Sequence, residues 1–315
     1  MRRIFDTTPT FDFISKRKLA LFLSLFLIVL SIGSLATRGL NLGLDFTGGT
    51  LIEVGYPQAA ELSEIRATLA EIGYGDAVVQ HFGSAREVLI RIPPREGVAS
   101  ADQSEAIYAA LQEATEFEIE RRRQEFVGPQ VGEELTEDGG LAMLYALGLI
   151  LIYVSLRFEY RFSVGAVAAL FHDVIITLGL FSLFQWEFNL TVLAAILAVI
   201  GYSLNDTIVL FDRIRENFRT VRKLEPPEIM NLAVNQVLSR TIITSTTTLL
   251  VLLSLLFLGG ELMRGFAIAL TIGVLIGTYS SIFVAGPITL ALGVSRADLI
   301  PPKKEGVEEE EQPRL

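Results

Sequence analysis

Six stretches of this chain, residues 19–36, 140–156, 162–184, 190–211, 238–258 and 265–292, are almost unbroken runs of apolar side chains. Each is about the length an α-helix needs to cross a hydrocarbon core of roughly 30 Å at about 1.5 Å per residue. A transmembrane β-barrel would alternate apolar and polar residues instead. With 51% hydrophobic and 20% charged residues among 315, and a mean hydropathy of +0.48, the chain is excluded from the soluble-enzyme, disordered and collagen-like classes. The last run is long for one span, so it is expected to tilt or to break near Gly286-Pro287.

The chemistry available is narrow. The chain has no Cys, which removes disulfides, thiolate metal sites and Cys nucleophiles. His81 and His172 are its two histidines, too few for a multi-His metal site. No G-x-x-x-x-G-K-[ST] stretch is present to hold a nucleotide. No nucleophile–base pair or metal constellation is visible, so no enzyme activity, metal or cofactor is expected.

Basic residues set the orientation. They cluster before span one (Arg2, Arg3, Lys16, Arg17, Lys18), between spans two and three (Arg157, Arg161), between four and five (Arg213, Arg215, Arg219, Arg222, Lys223) and after span six (Arg296, Lys303, Lys304, Arg314). With six spans these segments share one side, so residues 1–18 and 293–315 are both expected in the cytoplasm. The acidic tail, with Glu308 to Glu311, reads as solvated and disordered. Ser34-Leu35-Ala36 would pass as a signal-peptide cleavage site, but the apolar stretch before it is longer than usual for such a leader, and span one reads as a retained anchor.

Segment 37–139 differs in kind. It carries 8 Lys+Arg against 19 Asp+Glu, a net charge of −11, and no run of spanning length. Residues 50–56 alternate as a strand, 61–72 have helical spacing, 78–82 and 88–92 are strand-like about Gly83-Ser84, 103–114 are helical and 117–126 alternate again. The order β-α-β-β-α-β is ferredoxin-like. The fold class is therefore an α-helical polytopic membrane protein with one small α+β ferredoxin-like extracytoplasmic domain. Its role reads equally as a binding or mechanical module and as scaffold. From Phe211 onward, Ile214, Phe218 and Val221 recur at helical spacing among arginines, so that 212–237 reads either as span four continuing into an amphipathic helix on the cytoplasmic interface or as an ordinary basic loop.

An ionisable side chain inside a span costs about 2.5–3.5 kcal/mol on insertion scales, so it marks a pathway or a partner. Asp173, Asp206 and Arg240 are of this kind. Asp206 lies roughly 8 Å below the cytoplasmic interface on span four. Arg240 enters span five at similar depth in the opposite direction, so an ion pair is allowed. Its attraction would favour the charged carboxylate and burial would oppose it, a balance suited to a proton carrier. A static pair, or an arginine snorkelling to the interface, fits the spacing equally well. Asp173, near the midplane of span three, interrupts a four-residue row of Gly165, Ala169 and Thr177. His172 projects about 100° away from it and reads more readily as packing than as relay. Asn205, and Thr244 and Ser245 on the hydroxyl-bearing face of span five, are further relay or packing candidates. Span six carries Gly265, Ala269, Gly273, Gly277, Ser281 and Ala285 four apart, a face that admits another backbone closely.

The stretch Gly201-Tyr202-Ser203-Leu204-Asn205-Asp206-Thr207-Ile208-Val209 resembles the SecF branch of the SecD/SecF protein-export family. Asp45-Phe46-Thr47-Gly48-Gly49, Val127-Gly128-Pro129-Gln130-Val131-Gly132, Phe171-His172-Asp173-Val174, Arg240-Thr241-Ile242-Ile243-Thr244-Ser245 and Gly277-Thr278-Tyr279-Ser280-Ser281 match it in order, from the first span to the sixth. The resemblance implies an RND-type half that pairs with a homologous six-span unit, SecD, in the bacterial inner membrane. It implies assistance to the SecYEG channel, with the proton gradient used to draw a translocating polypeptide outward, and it places Asp206 and Arg240 on the family's proton-coupling positions. No nucleic acid is implied. A half-exporter of small molecules or lipids, which would usually carry twelve spans and two outer domains, and a passive translocon scaffold are the competing readings.

In this Cys-free chain, a single cysteine at Ser84 is expected to react with an impermeant thiol reagent in intact cells, and one at Thr220 to stay unlabelled. The reverse pattern would overturn the six-span topology.

Overall fold

In the computed structural model, residues 10–95 and 100–295 are described. The reading of the acidic tail, and of residues 1–9, lies outside them. Among the described residues six helices are long and apolar enough to cross a membrane. They are α1 (Arg17–Arg38), α5 (Pro129–Arg157), α6 (Tyr160–Phe184), α7 (Leu190–Thr220), α8 (Pro226–Leu258) and α9 (Glu261–Ser280), the last extended through a π-turn (Ser281–Ala285) into α10 (Gly286–Ala291).

The outer domain inserts between α1 and α5. It contains the short β1 (Asn41–Leu42) and α2 (Leu44–Thr47), then β2 (Gly49–Gly55), α3 (Leu62–Glu71), β3 (Val78–Phe82), β4 (Ser84–Ile92), α4 (Ser100–Glu113) and β5 (Glu120–Val127). The sheet runs β3-β4-β2-β5 with every pair antiparallel, the split β-α-β arrangement expected from the element order. Ile52, Val54, Val88, Ile90 and Ile92 face Ile65, Leu69, Ile107 and Leu111 of the two helices and close a core without lipid. β2 is buried on both faces, because Leu51 and Leu89 meet Leu44 of α2 on the side away from α3 and α4.

Three helices begin or end beyond their apolar runs, since apolarity marks the membrane and not the hydrogen-bond ladder. Pro129 at the first turn starts α5 well before the apolar run. Glu225 and Glu228 form a capping box and Pro226 pre-sets the first turn, so α8 starts twelve residues before position 238. Span four does continue as a helix into the segment 212–237, but its apolar face packs on a second helix, and the basic-loop reading holds only for the short turn between α7 and α8. α7 runs on to Thr220, and Phe211, Ile214 and Phe218 are buried against Ile229, Met230, Ala233 and Val234 of α8. A facing helix with its own apolar stripe covers that face better than headgroups would.

In the bundle α6 and α7 form the centre, with more than half of the residues of their apolar runs buried, whereas α5 and α8 are largely exposed and lie at the periphery. The small residues of α9 face α7: a Cβ on Gly273 would stand 2.0 Å from Val199 Cγ2, and one on Gly277 would stand 3.0 Å from Ser203 Cβ. α1 approaches α6 likewise, with Gly179 against Ser31 and Ser34 Oγ 2.9 Å from Ser182 Oγ. α9 changes to π geometry over Ser281–Ala285, just ahead of Gly286-Pro287, where the proline ring displaces the carbonyl one turn back.

At the outer end β1 pairs in parallel with β6 (Glu187–Phe188) of the α6–α7 loop. Asp45 Oδ2 accepts a hydrogen bond of 2.9 Å from Leu190 N, the first residue of α7. Gly48 and Gly49 hold φ of 64° and 116°, and a Cβ on Gly49 would lie 2.2 Å from Ile92 O. The base of the outer domain is thus bonded to the start of one transmembrane helix.

Gly273→Val is expected to destabilise the detergent-solubilised protein by about 1–3 kcal/mol through overpacking against Val199. Gly148→Val, where nothing lies within 4 Å of the new Cβ, is the control and should leave the unfolding midpoint nearly unchanged.

Candidate functional site

Asp206 sits on the buried side of α7 with 7% of its surface exposed, and its Oδ2 has no hydrogen-bond partner among the described residues. Arg240, near the middle of α8, is close enough to act electrostatically on that carboxylate. It makes no direct ion pair with it, and its side chain is exposed on the surface of the chain. The ion pair that spacing allows is therefore not formed. Equal depth brings the two groups into electrical range, while the rotation of each helix sets one inward and the other outward. Asn205, about 100° around α7 from Asp206, is exposed like Arg240.

Asp173 has a different environment. It is fully buried; Oδ1 lies 2.8 Å from His172 Nδ1, and Oδ2 accepts hydrogen bonds from Ser203 of α7 and, at 2.8 Å, from Ser280 of α9. His172 thus turns towards Asp173 rather than away from it. The Cβ atoms diverge by about 100°, but the side chains span the gap. The imidazole also stacks on Tyr279 at 6.1 Å, and Tyr279 Oη donates to Ala20 O of α1 at 2.7 Å.

The hydroxyl face of α8 divides. Thr244 Oγ1 bonds back to Arg240 O and Thr241 O, both at 3.0 Å, and so serves its own helix. Ser245 Oγ lies 2.7 Å from Thr278 Oγ1 of α9 and accepts from Tyr202 Oη of α7 at 3.3 Å. Sequence spacing singled out Asp173, Ser245 and Asp206 but not the roles of Ser203, Thr278, Tyr279 and Ser280. The signal available was their position: Ser203 falls one turn before Asp206, and the other three are consecutive on the small-residue helix.

Among the described residues, a bundle of six apolar helices, an acid with an unpaired oxygen inside it and one α+β domain tied to a helix end define a polytopic membrane protein. Residues 107–295 match the family described as protein export membrane protein SecD/SecF, C-terminal, and residues 33–60 match the SecD/SecF GG motif. The chain is 54% identical to the protein translocase subunit SecF of Vibrio alginolyticus, over 99% of this chain and all of that one. It is 51% identical to SecF of Pseudomonas aeruginosa, over 93% and 95% of the two chains. The crystal structure of SecDF from Thermus thermophilus, titled a translocon-associated membrane protein, superposes with a TM-score of 0.83 at 39% identity, over 92% of this chain. This chain spans 39% of that longer one. It belongs to the SecF family of protein-export membrane proteins.

Proposed function

We propose that this SecF-family chain is the proton-coupling half of a two-chain export machine in the bacterial inner membrane. Its partner is a SecD-like six-span protein, and together they assist the SecYEG channel in drawing a translocating polypeptide outward late in export. Both termini face the cytoplasm. The energy comes from the proton gradient, with no cofactor, and the chain acts as a transport subunit rather than an enzyme. This chain spans 39% of the solved SecDF chain, and the larger remainder of that chain supports a separate partner unit.

One observation carries this reading: the acid and the outer domain share one continuous helix. α7 runs unbroken from Leu190 to Thr220, with Asp206 inside it, and its first N–H is held by Asp45 at the base of the outer domain. Asp206 has an oxygen without a partner among the described residues, and Arg240 lies within electrostatic range of it. Neutralising the acid removes its attraction to Arg240 and allows α7 to shift or turn. A helix is stiff along its axis, so that motion reaches Asp45 and the outer domain.

The test is completion of precursor export into sealed vesicles after the ATP-driven stage, with and without a proton gradient. Asp206→Asn keeps size and hydrogen bonding but cannot change charge; it should assemble with its partner and lose gradient stimulation entirely. A double neutral variant, Asp206→Asn with Arg240→Gln, should fail in the same way, whereas a structural pair would be largely rescued by it. Arg240→Lys keeps a cation at longer range, but a lysine can lose its charge in a low-dielectric setting, and the step should slow by about tenfold, or about 1.4 kcal/mol. Normal gradient-stimulated export by the double variant would leave a passive scaffold as the better account.

A further inference from the structure

The proton-coupling proposal makes no use of Asp173, although a carboxylate in mid-membrane is as costly there as at Asp206. Its surroundings differ in a way that assigns it another task. Asp173, Ser203 and Ser280 are each no more than 1% exposed, and His172 is 2% exposed. The carboxyl group pairs with His172 Nδ1 through Oδ1 and accepts two hydroxyls on Oδ2, from three helices: His172 from α6, Ser203 from α7 and Ser280 from α9. Asp206 keeps a bare oxygen, whereas Asp173 is fully engaged. A buried acid with three hydrogen-bond partners is a fastener and not a carrier, since each partner is lost or left unpaired when the group moves.

What it fastens is specific. Ser203 stands three residues before Asp206, on the adjacent turn of α7. A serine hydroxyl is short, so α7 and α9 must run close together for Ser203 and Ser280 to reach the same oxygen. Gly277 provides this, lying one turn from Ser280 with no side chain to push Ser203 away. The π-turn of α9 starts at the residue after Ser280, where the helical ladder is already irregular and can re-form in another register. His172 secures the acid from behind, its ring held between Asp173 and Tyr279, which is itself bonded to α1.

We propose that Asp173 is a positioning residue for Asp206: oriented by His172, it holds Ser203 of α7 and Ser280 of α9 together and so fixes the surroundings in which Asp206 exchanges protons. This rests on the proton-carrying role of Asp206. The ionisable groups near the fastener are few. α6 offers His172, α7 offers Tyr202 and Asp206, α8 offers Arg240 and α9 offers Tyr279. Between Lys18 and Arg38 of α1, and between Arg264 and Ser295, there is no charged residue. A displaced α7 is therefore read chiefly through Asp206.

The experiment uses the full-length chain assembled with its six-span partner in sealed vesicles, with gradient-driven export measured across a pH series. Ser203→Ala and Ser280→Ala are made singly and together, with Asp206→Asn alongside. Each serine variant is expected to assemble and complete the ATP-driven stage normally. Each should move the pH of half-maximal gradient-driven export in the same direction, by about 0.5 unit or more for the pair, with a severalfold lower maximum. Purely structural serines would lower the yield of complex and leave that pH unchanged; an unchanged midpoint in the single variants overturns the proposal, even where the double variant does not assemble. If Asp206→Asn retains gradient stimulation, the carrier reading fails and the positioning role fails with it. If Asp206→Asn abolishes stimulation while the serine variants keep the parent midpoint, the positioning role alone fails.

Discussion

Along α9, Gly265, Gly273 and Gly277 bring backbone against Val192, Val199 and Ser203 of α7, leaving no room for a Cβ at Gly273. Lipid tails are as apolar as leucine, so two helices gain little from hiding apolar surface from each other, and close packing has to hold them. The rest of the bundle depends on this contact. Only at such short separation can two serines on different helices share one carboxylate oxygen, and only then does a mid-membrane acid have enough donors to remain buried. The same approach puts Tyr202, Ser245 and Thr278 within hydrogen-bonding reach across α7, α8 and α9.

The two acids of the bundle are separated by environment rather than by residue type. Asp173 is enclosed by three hydrogen-bond partners from three helices, while Asp206 has an unpaired oxygen and a cation at longer range. Satisfied polar groups in low dielectric stiffen a structure, whereas a half-satisfied one leaves a state that can change. One helix carries both the fastening serine and the unpaired acid, and its outer end receives Asp45 from the base of the outer domain. That base is itself built for rigidity. Gly48 and Gly49 take backbone angles that side chains rarely adopt, Gly132 lies against Gly48, and Phe46 stacks on Phe188 at 5.8 Å.

The end of the bundle away from the outer domain uses ordinary physics to the same purpose. Phe158 and Phe162 meet Phe211 edge to face, at 5.8 and 5.0 Å, and Arg157 makes two hydrogen bonds of 2.7 Å to Asp212. Asn231 and Asn235, one turn apart on α8, bind the backbone of Phe11 and Phe13 ahead of α1. These contacts continue the bundle beyond the apolar spans, so that α7 and α8 form a packed hairpin there.

Hydrophobic runs fixed the six spans because a helix that crosses lipid must present apolar side chains over its whole length. Period-two and helical patterns fixed the β-α-β-β-α-β order of the outer domain because its core is shared between alternate strand residues and single helix stripes. The unusual residues were legible too: Asp173, Asp206 and Arg240 stood out by their cost alone. Which of them touch was not legible. Spacing along one helix gives the face a residue occupies but not the neighbour that face meets, nor how far a side chain bends. For that reason His172 turns to Asp173 against its helical angle, Arg240 stands clear of Asp206 despite equal depth, and the stripe of Phe211, Ile214 and Phe218 packs on α8 instead of on lipid. Those outcomes were decided by the approach and rotation of helices distant in sequence, and that is a property of the tertiary structure alone.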